Sequence, residues 1–156
     1  MSTPHRLVVA QYDRGEGNLG KEHWSLVLFE DRDAVWTFQI LGNQDTYEYV
    51  PGRHENFTSS RSYRGGCAVG TVTADKVEWV MDKLREVTII RGDASKFNCQ
   101  TFVMDGLRLL KYAEEEGVVI TVVDRQFIIN ELAQERENWE TAGCTVEERL
   151  FPEAEE

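Results

Sequence analysis

EHWSLVLFEDRDAVWTFQILG, residues 22–42, is where the fold is decided. Two runs of apolar, β-branched and aromatic residues, 22–30 and 34–42, flank the acidic link DRD. Each run has strand length. The link is too short for a parallel crossover, so the pair reads as an antiparallel hairpin of largely buried strands. Upstream, RLVVAQY (6–12) is a third such run, and GEGNLG (15–20) between them is a loop of turn formers. Downstream, TYEYV (46–50) reads as a further short strand stopped by Pro51-Gly52, residues 52–66 as an irregular loop, and CAVGTV (67–72) as a short strand.

The second half of the chain changes period. In TADKVEWVMDKLREV (73–87), Val77, Val80, Met81 and Leu84 recur at helical spacing after Thr73, an expected N-cap. NCQTFVMDGLRLLKYAEEEG (98–117) is the strongest helix, with Asn98 as cap and Gly117 as stop. Cys99, Phe102, Val103, Gly106, Leu109, Leu110 and Ala113 share its apolar face, and Gly106 would allow close approach to the sheet. VVITVVD (118–124) is a strand or a docking segment, and Asp124 caps a last helix from residue 125. Strands first and long helices later predict an α+β domain, one antiparallel sheet packed against helices, spanning 1–140.

Composition narrows the function classes. The chain has 156 residues and a net charge of −11. Residues 131–156 hold nine carboxylates against Arg136 and Arg149, which leaves −4 for the first 130. Residues 141–156 therefore read as an acidic, solubilising C-terminal tail. Without clustered Lys and Arg, nucleic acid and anionic membrane surfaces are not expected partners. No stretch is long enough for an integral membrane segment, and residues 1–15 lack a secretion-signal pattern. Cys67, Cys99 and Cys144 are an odd number with no metal-ligand spacing, and His5, His23 and His54 are scattered. The expectation is reduced thiols, no metal, no cofactor and a cytoplasmic location.

Cys99 and His23 carry the chemistry. Cys99 sits in the first turn of a long helix, where free N–H groups and the helix dipole favour a thiolate and can steady an oxyanion. His23 opens a buried strand, whose end can hold an imidazole rigidly beside a helix terminus. A Cys–His pair needs a third polar group to orient the ring, and Thr37 and Gln39 share one strand parity. Gln39, the longer, is preferred as acceptor from the ring N–H.

HWSLVLF (23–29) resembles the His-Trp-apolar strand of the lecithin:retinol acyltransferase-like proteins, and NCQTFV (98–103) their Asn-Cys-x-x-Phe-Val nucleophile motif. The chain is also similar to fungal proteins that combine a His-Trp strand with an Asn-Cys-Gln helix. The resemblance rests on two short motifs 76 positions apart. It implies a circularly permuted NlpC-type, papain-like cysteine hydrolase fold, with Cys99 as nucleophile and His23 as base. The family's usual second histidine on the next strand is missing, and Gln39 or Thr37 stands in its place. The implied function is hydrolysis or acyl transfer on an amide, ester or thioester of a small-molecule, lipid or peptide acyl substrate. The alternative is a catalytically inactive protein-binding module on the same fold.

Each of these residues also has a plainer reading. A lone cysteine on an apolar helix face is ordinarily core, and the plain reading of Asn98 is a helix cap and nothing more. Gln100 is expected on the exposed side of the helix or at the mouth of the site. Trp24 and Trp36 belong to the core or wall a pocket for an apolar substrate. His54 lies in an exposed loop, Cys67 and Cys144 are structural, and the tripeptides RGD (91–93) and NFT (56–58) are chance matches. A weaker third possibility is an assembly partner that meets a basic protein through its acidic tail.

Overall fold

A computed structural model describes residues 4–13, 22–141 and 143–151. The loop expected at 15–20 lies outside the described residues. Strand β1 (His5–Tyr12) pairs antiparallel with β2 (His23–Phe29), and β2 pairs with β3 (Val35–Phe38) across the link, so the expected hairpin forms. Asp31 closes the turn: its Oδ1 accepts from Asp33 N at 2.9 Å and from Ala34 N at 2.8 Å. The expected single strand 34–42 is broken at Gln39. Beyond it, β4 (Ile40–Leu41) leaves the main sheet and forms a separate two-strand ribbon with β5 (Glu48–Tyr49).

The expected irregular loop 52–66 is partly strand. Here β6 (Gly52–His54) pairs with β3 in a register that sets His54 opposite Val35 and Gly52 opposite Thr37. The expected short strand 67–72 extends to β7 (Tyr63–Val72), which pairs with β1. Two glycines make this possible: a Cβ on Gly66 would stand 2.4 Å from Val8 Cγ1, and one on Gly70 2.1 Å from Val119 O. Residues 118–120 settle as strand β8 (Val118–Ile120), paired with β7. The result is a six-strand antiparallel sheet in the order β6-β3-β2-β1-β7-β8.

Helix α1 (Val77–Leu84) follows a 3-10 turn over Ala74–Lys76, so the expected helix 73–87 is shorter, and the Thr73 side chain makes no cap bond. Helix α2 (Cys99–Ala113) matches its expected start and ends at Glu114, in the left-handed region, ahead of Gly117. A Cβ on Gly106 would meet Leu84 Cδ2 at 2.8 Å and Leu26 Cδ1 at 3.6 Å, so this glycine sets the approach of α2 to α1 and to the sheet. Helix α3 (Arg125–Glu140) is capped by Asp124, whose side chain accepts from Gln126 N and Phe127 N. No helix among the described residues is long and apolar enough to cross a membrane.

Alternation divides the core in two. Leu7, Val9, Trp24, Leu26 and Leu28 pack with α1 and α2 on one face, and Val8, Ala10, Val27 and Phe29 pack with Tyr63 and Val146 on the other. Val146 belongs to α4 (Val146–Leu150), so the stretch expected to be an outlying acidic tail contributes a docked helix instead. A buried carboxylate from α3 and one from α4 hold it in place. Glu135 is 2% and Glu147 3% exposed. Glu135 Oε1 accepts from Gly66 N at 3.2 Å and Val146 N at 2.8 Å, its Oε2 meets Arg149 at 3.0 Å, and Tyr63 donates to Glu147 Oε1 at 2.9 Å. Burial, reinforced by Glu147, holds the Tyr63 phenol protonated and able to donate.

Candidate active site

Cys99 is the first residue of α2, and the turn beneath it is fully capped. Asn98 Oδ1 accepts from Gln100 N at 2.9 Å and Thr101 N at 3.2 Å, while Asn98 N donates to Thr101 Oγ1 at 3.2 Å. Asn98 Nδ2 also donates to Ala94 O at 3.1 Å, tying the cap to the preceding loop. This reciprocal box fixes the Cys99 backbone. Cys99 is 5% exposed, and its thiol donates to the Glu22 carbonyl oxygen at 3.8 Å. That carbonyl belongs to the peptide that leads into His23.

His23 is half-buried at the start of β2, opposite Tyr12 in β1. The two rings lie 5.3 Å apart at 41°. Nε2 stands 2.7 Å from Gln39 Oε1. An amide oxygen only accepts, so Nε2 carries the proton and Nδ1 is the basic nitrogen of the neutral ring. Gln39 reaches this place because the chain leaves the main sheet there, between β3 and β4. Thr37, the other candidate, is buried and bonds instead to His54 Nε2 at 3.1 Å.

Alternation along β2 gives His23 the parity of Val27 and Phe29, whereas Cys99 packs with Trp24, Leu26 and Leu28. By strand parity the imidazole and the sulfur belong to different faces, and they are linked at the Glu22–His23 peptide. A cavity of about 670 Å³ opens on the imidazole side. His23, Gln39, Thr37, His54, Tyr12 and Phe57 line it, and Cys99 is not among its lining residues. Burial pushes the Tyr12 phenol well above its ordinary range, so Tyr12 meets this cavity as a neutral hydroxyl.

The remaining expected site residues separate. Trp24 is 3% exposed and lines a different cavity, of about 300 Å³, together with Gln100. Gln100 is buried, not exposed: its Nε2 donates to Glu22 O at 3.0 Å and its Oε1 accepts from Arg125 Nη2 at 3.0 Å. Gln100, the second residue of α2, turns inward, where it meets both Glu22 and Arg125. Trp36 packs against the α2-side core and donates from Nε1 to Glu30 Oε1 at 2.6 Å, away from both cavities. His54, expected in a loop, is held on β6 beside His23's cavity; the β-pairing of a Gly-Arg-His segment had no sequence signal beyond the turn before it. Among the described residues no cluster of three or more His, Cys, Asp or Glu is placed to hold a metal ion.

Cys67 differs in kind from Cys99. Burial, with Glu131 and Glu135 nearby, pushes its thiol up to about 12. It packs in the core with Val9 and Val69, and its thiol donates to Ala68 O at 3.7 Å. No family model, curated protein or solved structure matches the chain.

Proposed function

We propose that the protein is a cysteine-dependent hydrolase or acyltransferase, with Cys99 as nucleophile, His23 as base and Gln39 as the group that orients the ring. The observation that carries this reading is the 2.7 Å contact between His23 Nε2 and Gln39 Oε1. It commits Nε2 as donor and presents Nδ1 as the proton acceptor. The permuted papain-like arrangement implied by the two motifs supports the same assignment, and the α+β sheet with a capped helix headed by the cysteine is compatible with it.

In the reaction, Cys99 gives up its bond to the Glu22 carbonyl, the Cys99 and His23 side chains move from their different faces of β2 to meet past the Glu22–His23 peptide, and the thiol proton passes to His23 Nδ1. The thiolate attacks the carbonyl carbon of an amide, ester or thioester. The tetrahedral oxyanion collapses, the C–N, C–O or C–S bond breaks, and the imidazolium returns the proton to the leaving group. Water or another acceptor then attacks the Cys99 thioester, with His23 again taking the proton.

A second reading has its own observation. Cys99 is 5% exposed and lies outside the lining of the larger cavity. In that reading His23, Gln39, Thr37 and His54 form a recognition site of a binding module and no acyl-enzyme exists. Incubation with an activated acyl ester such as p-nitrophenyl acetate, followed by peptide mass mapping, separates the two. The enzyme reading expects one acetyl group on Cys99, absent in His23→Ala. Acetylation confined to surface nucleophiles, or unchanged in His23→Ala, removes it.

A further inference from the structure

The cavity of about 300 Å³ on the α2 side of the sheet is small and two-sided. Trp24, Ile129, Leu132 and Ala133 give it an apolar wall, while Gln100, Arg125, Arg136 and Glu22 supply charge and hydrogen bonds. The two arginines are not equivalent. Arg136 is neutralised by carboxylates, with Nη1 3.1 Å from Glu22, Nη2 3.3 Å from Asp13 and Nε 3.3 Å from Glu140. Arg125 is held by neutral partners. Its Nη2 donates to Gln100 Oε1 at 3.0 Å, and its guanidinium carbon stands 5.6 Å from the Trp24 ring centroid. Among the described residues no carboxylate ion-pairs with Arg125, and the neighbouring Asp124 is turned to Gln126 N and Phe127 N as the cap of α3.

We infer that this cavity binds a short-chain carboxylate, with Arg125 taking the anion and the Trp24–Leu132 wall taking a few methylenes. Arg125 is exposed at the rim of the cavity, its guanidinium placed by an amide and an aromatic face and, among the described residues, in no ion pair, an arrangement that can take a planar carboxylate. It is also the first residue of α3, where the helix dipole adds positive potential. The small volume fits an acid of about five carbons better than a long chain. Gln100 connects this site to the thiol: its Nε2 donates to the same Glu22 carbonyl oxygen that receives Cys99. Cys99 does not line this cavity, so the inferred carboxylate site lies beside the thiol and goes beyond the thiol-enzyme reading without depending on it.

Glutarate is the probe, titrated by calorimetry into the wild-type protein and into Cys99→Ala, with the neutral glutaramide beside it. Saturable glutarate binding is expected in both proteins, and glutaramide should bind far more weakly. Arg125→Gln should weaken glutarate binding about tenfold or more, since a charge-assisted hydrogen bond is lost, and Arg125→Lys should retain part of it. Rising salt should weaken binding in wild type but not in Arg125→Gln. Equal affinity for glutaramide, no loss in a folded Arg125→Gln, or no saturable binding in wild type overturns the inference. Glutarate binding without any acetyl-Cys99 leaves the cavity standing and removes only the enzyme reading; acetyl-Cys99 without glutarate binding does the reverse.

Discussion

His23 and Cys67 mark the two extremes of chemistry at single residues. The ring of His23 has one nitrogen committed to Gln39, so removing that amide should misorient the base without removing it. Gln39→Ala is therefore expected to slow acetylation of Cys99, and His23→Ala to slow it more, by about a hundredfold or beyond, in stopped-flow release of p-nitrophenol. Equal rates in the two variants would deny Gln39 its orienting role. Cys67, held up to about 12 by burial, is expected to resist iodoacetamide at neutral pH in the native protein and to react once urea unfolds it. At this scale the sequence was informative wherever a residue's neighbours along the chain also decide its surroundings. Asn98 as cap and Gln39 as the ring's partner were both legible. The inward turn of Gln100 was not, because it answers to Glu22 from a distant part of the chain, and no periodicity reports that.

At the scale of elements, the hairpin at 22–42 was readable because burial on both faces leaves continuous apolar runs. Its break at Gln39 was hidden by the same continuity: Ile40 is as apolar as Phe38, and only the pairing of β4 with β5 separates them. β6 was missed because its three residues, Gly52–His54, carry no β-branched side chain and pair only at a sheet edge. The link between β2 and β3 also makes a pH prediction. Donation from Arg53 holds the Glu30 carboxyl below its ordinary value, and the N–H groups of Ala34 and Asp33 do the same for Asp31. Folded-state values below the unfolded ones mean that this stabilisation is present above the ordinary carboxylate range and is lost as pH falls through it. Urea midpoints should fall between about pH 5 and pH 3, and less steeply in a double variant Glu30→Gln/Asp31→Asn. On α2, Asn98→Ala removes the acceptor for Gln100 N and Thr101 N and should cost about 1 kcal/mol in urea unfolding.

Across the whole molecule, one sheet separates two cores, and helix α4 is drawn into the second. Residues 141–156 looked like a solvated tail because the charge density of 131–156 is a compositional signal and burial is not. Glu135 and Glu147 defy it by satisfying backbone N–H groups, Arg149 and Tyr63 inside the protein. Deleting residues 143–156 strips Val146 from its core and leaves Glu135 without Arg149. The cost should be at least about 3 kcal/mol, read from denaturant unfolding, where a mere tail would cost nothing measurable. The thiol, the imidazole and the smaller cavity all meet the Glu22–His23 peptide, so this junction of sheet and helix is where we place the proposed function. The rate of Cys99 alkylation by iodoacetamide as a function of pH, followed by mass mapping in wild type and His23→Ala, tests that placement most directly. The expected result is alkylation of Cys99 in wild type that falls by about tenfold or more in His23→Ala across the neutral range, since the imidazole takes the thiol proton. A Cys99 that stays unmodified across the range, or whose profile is the same in both proteins, would contradict it.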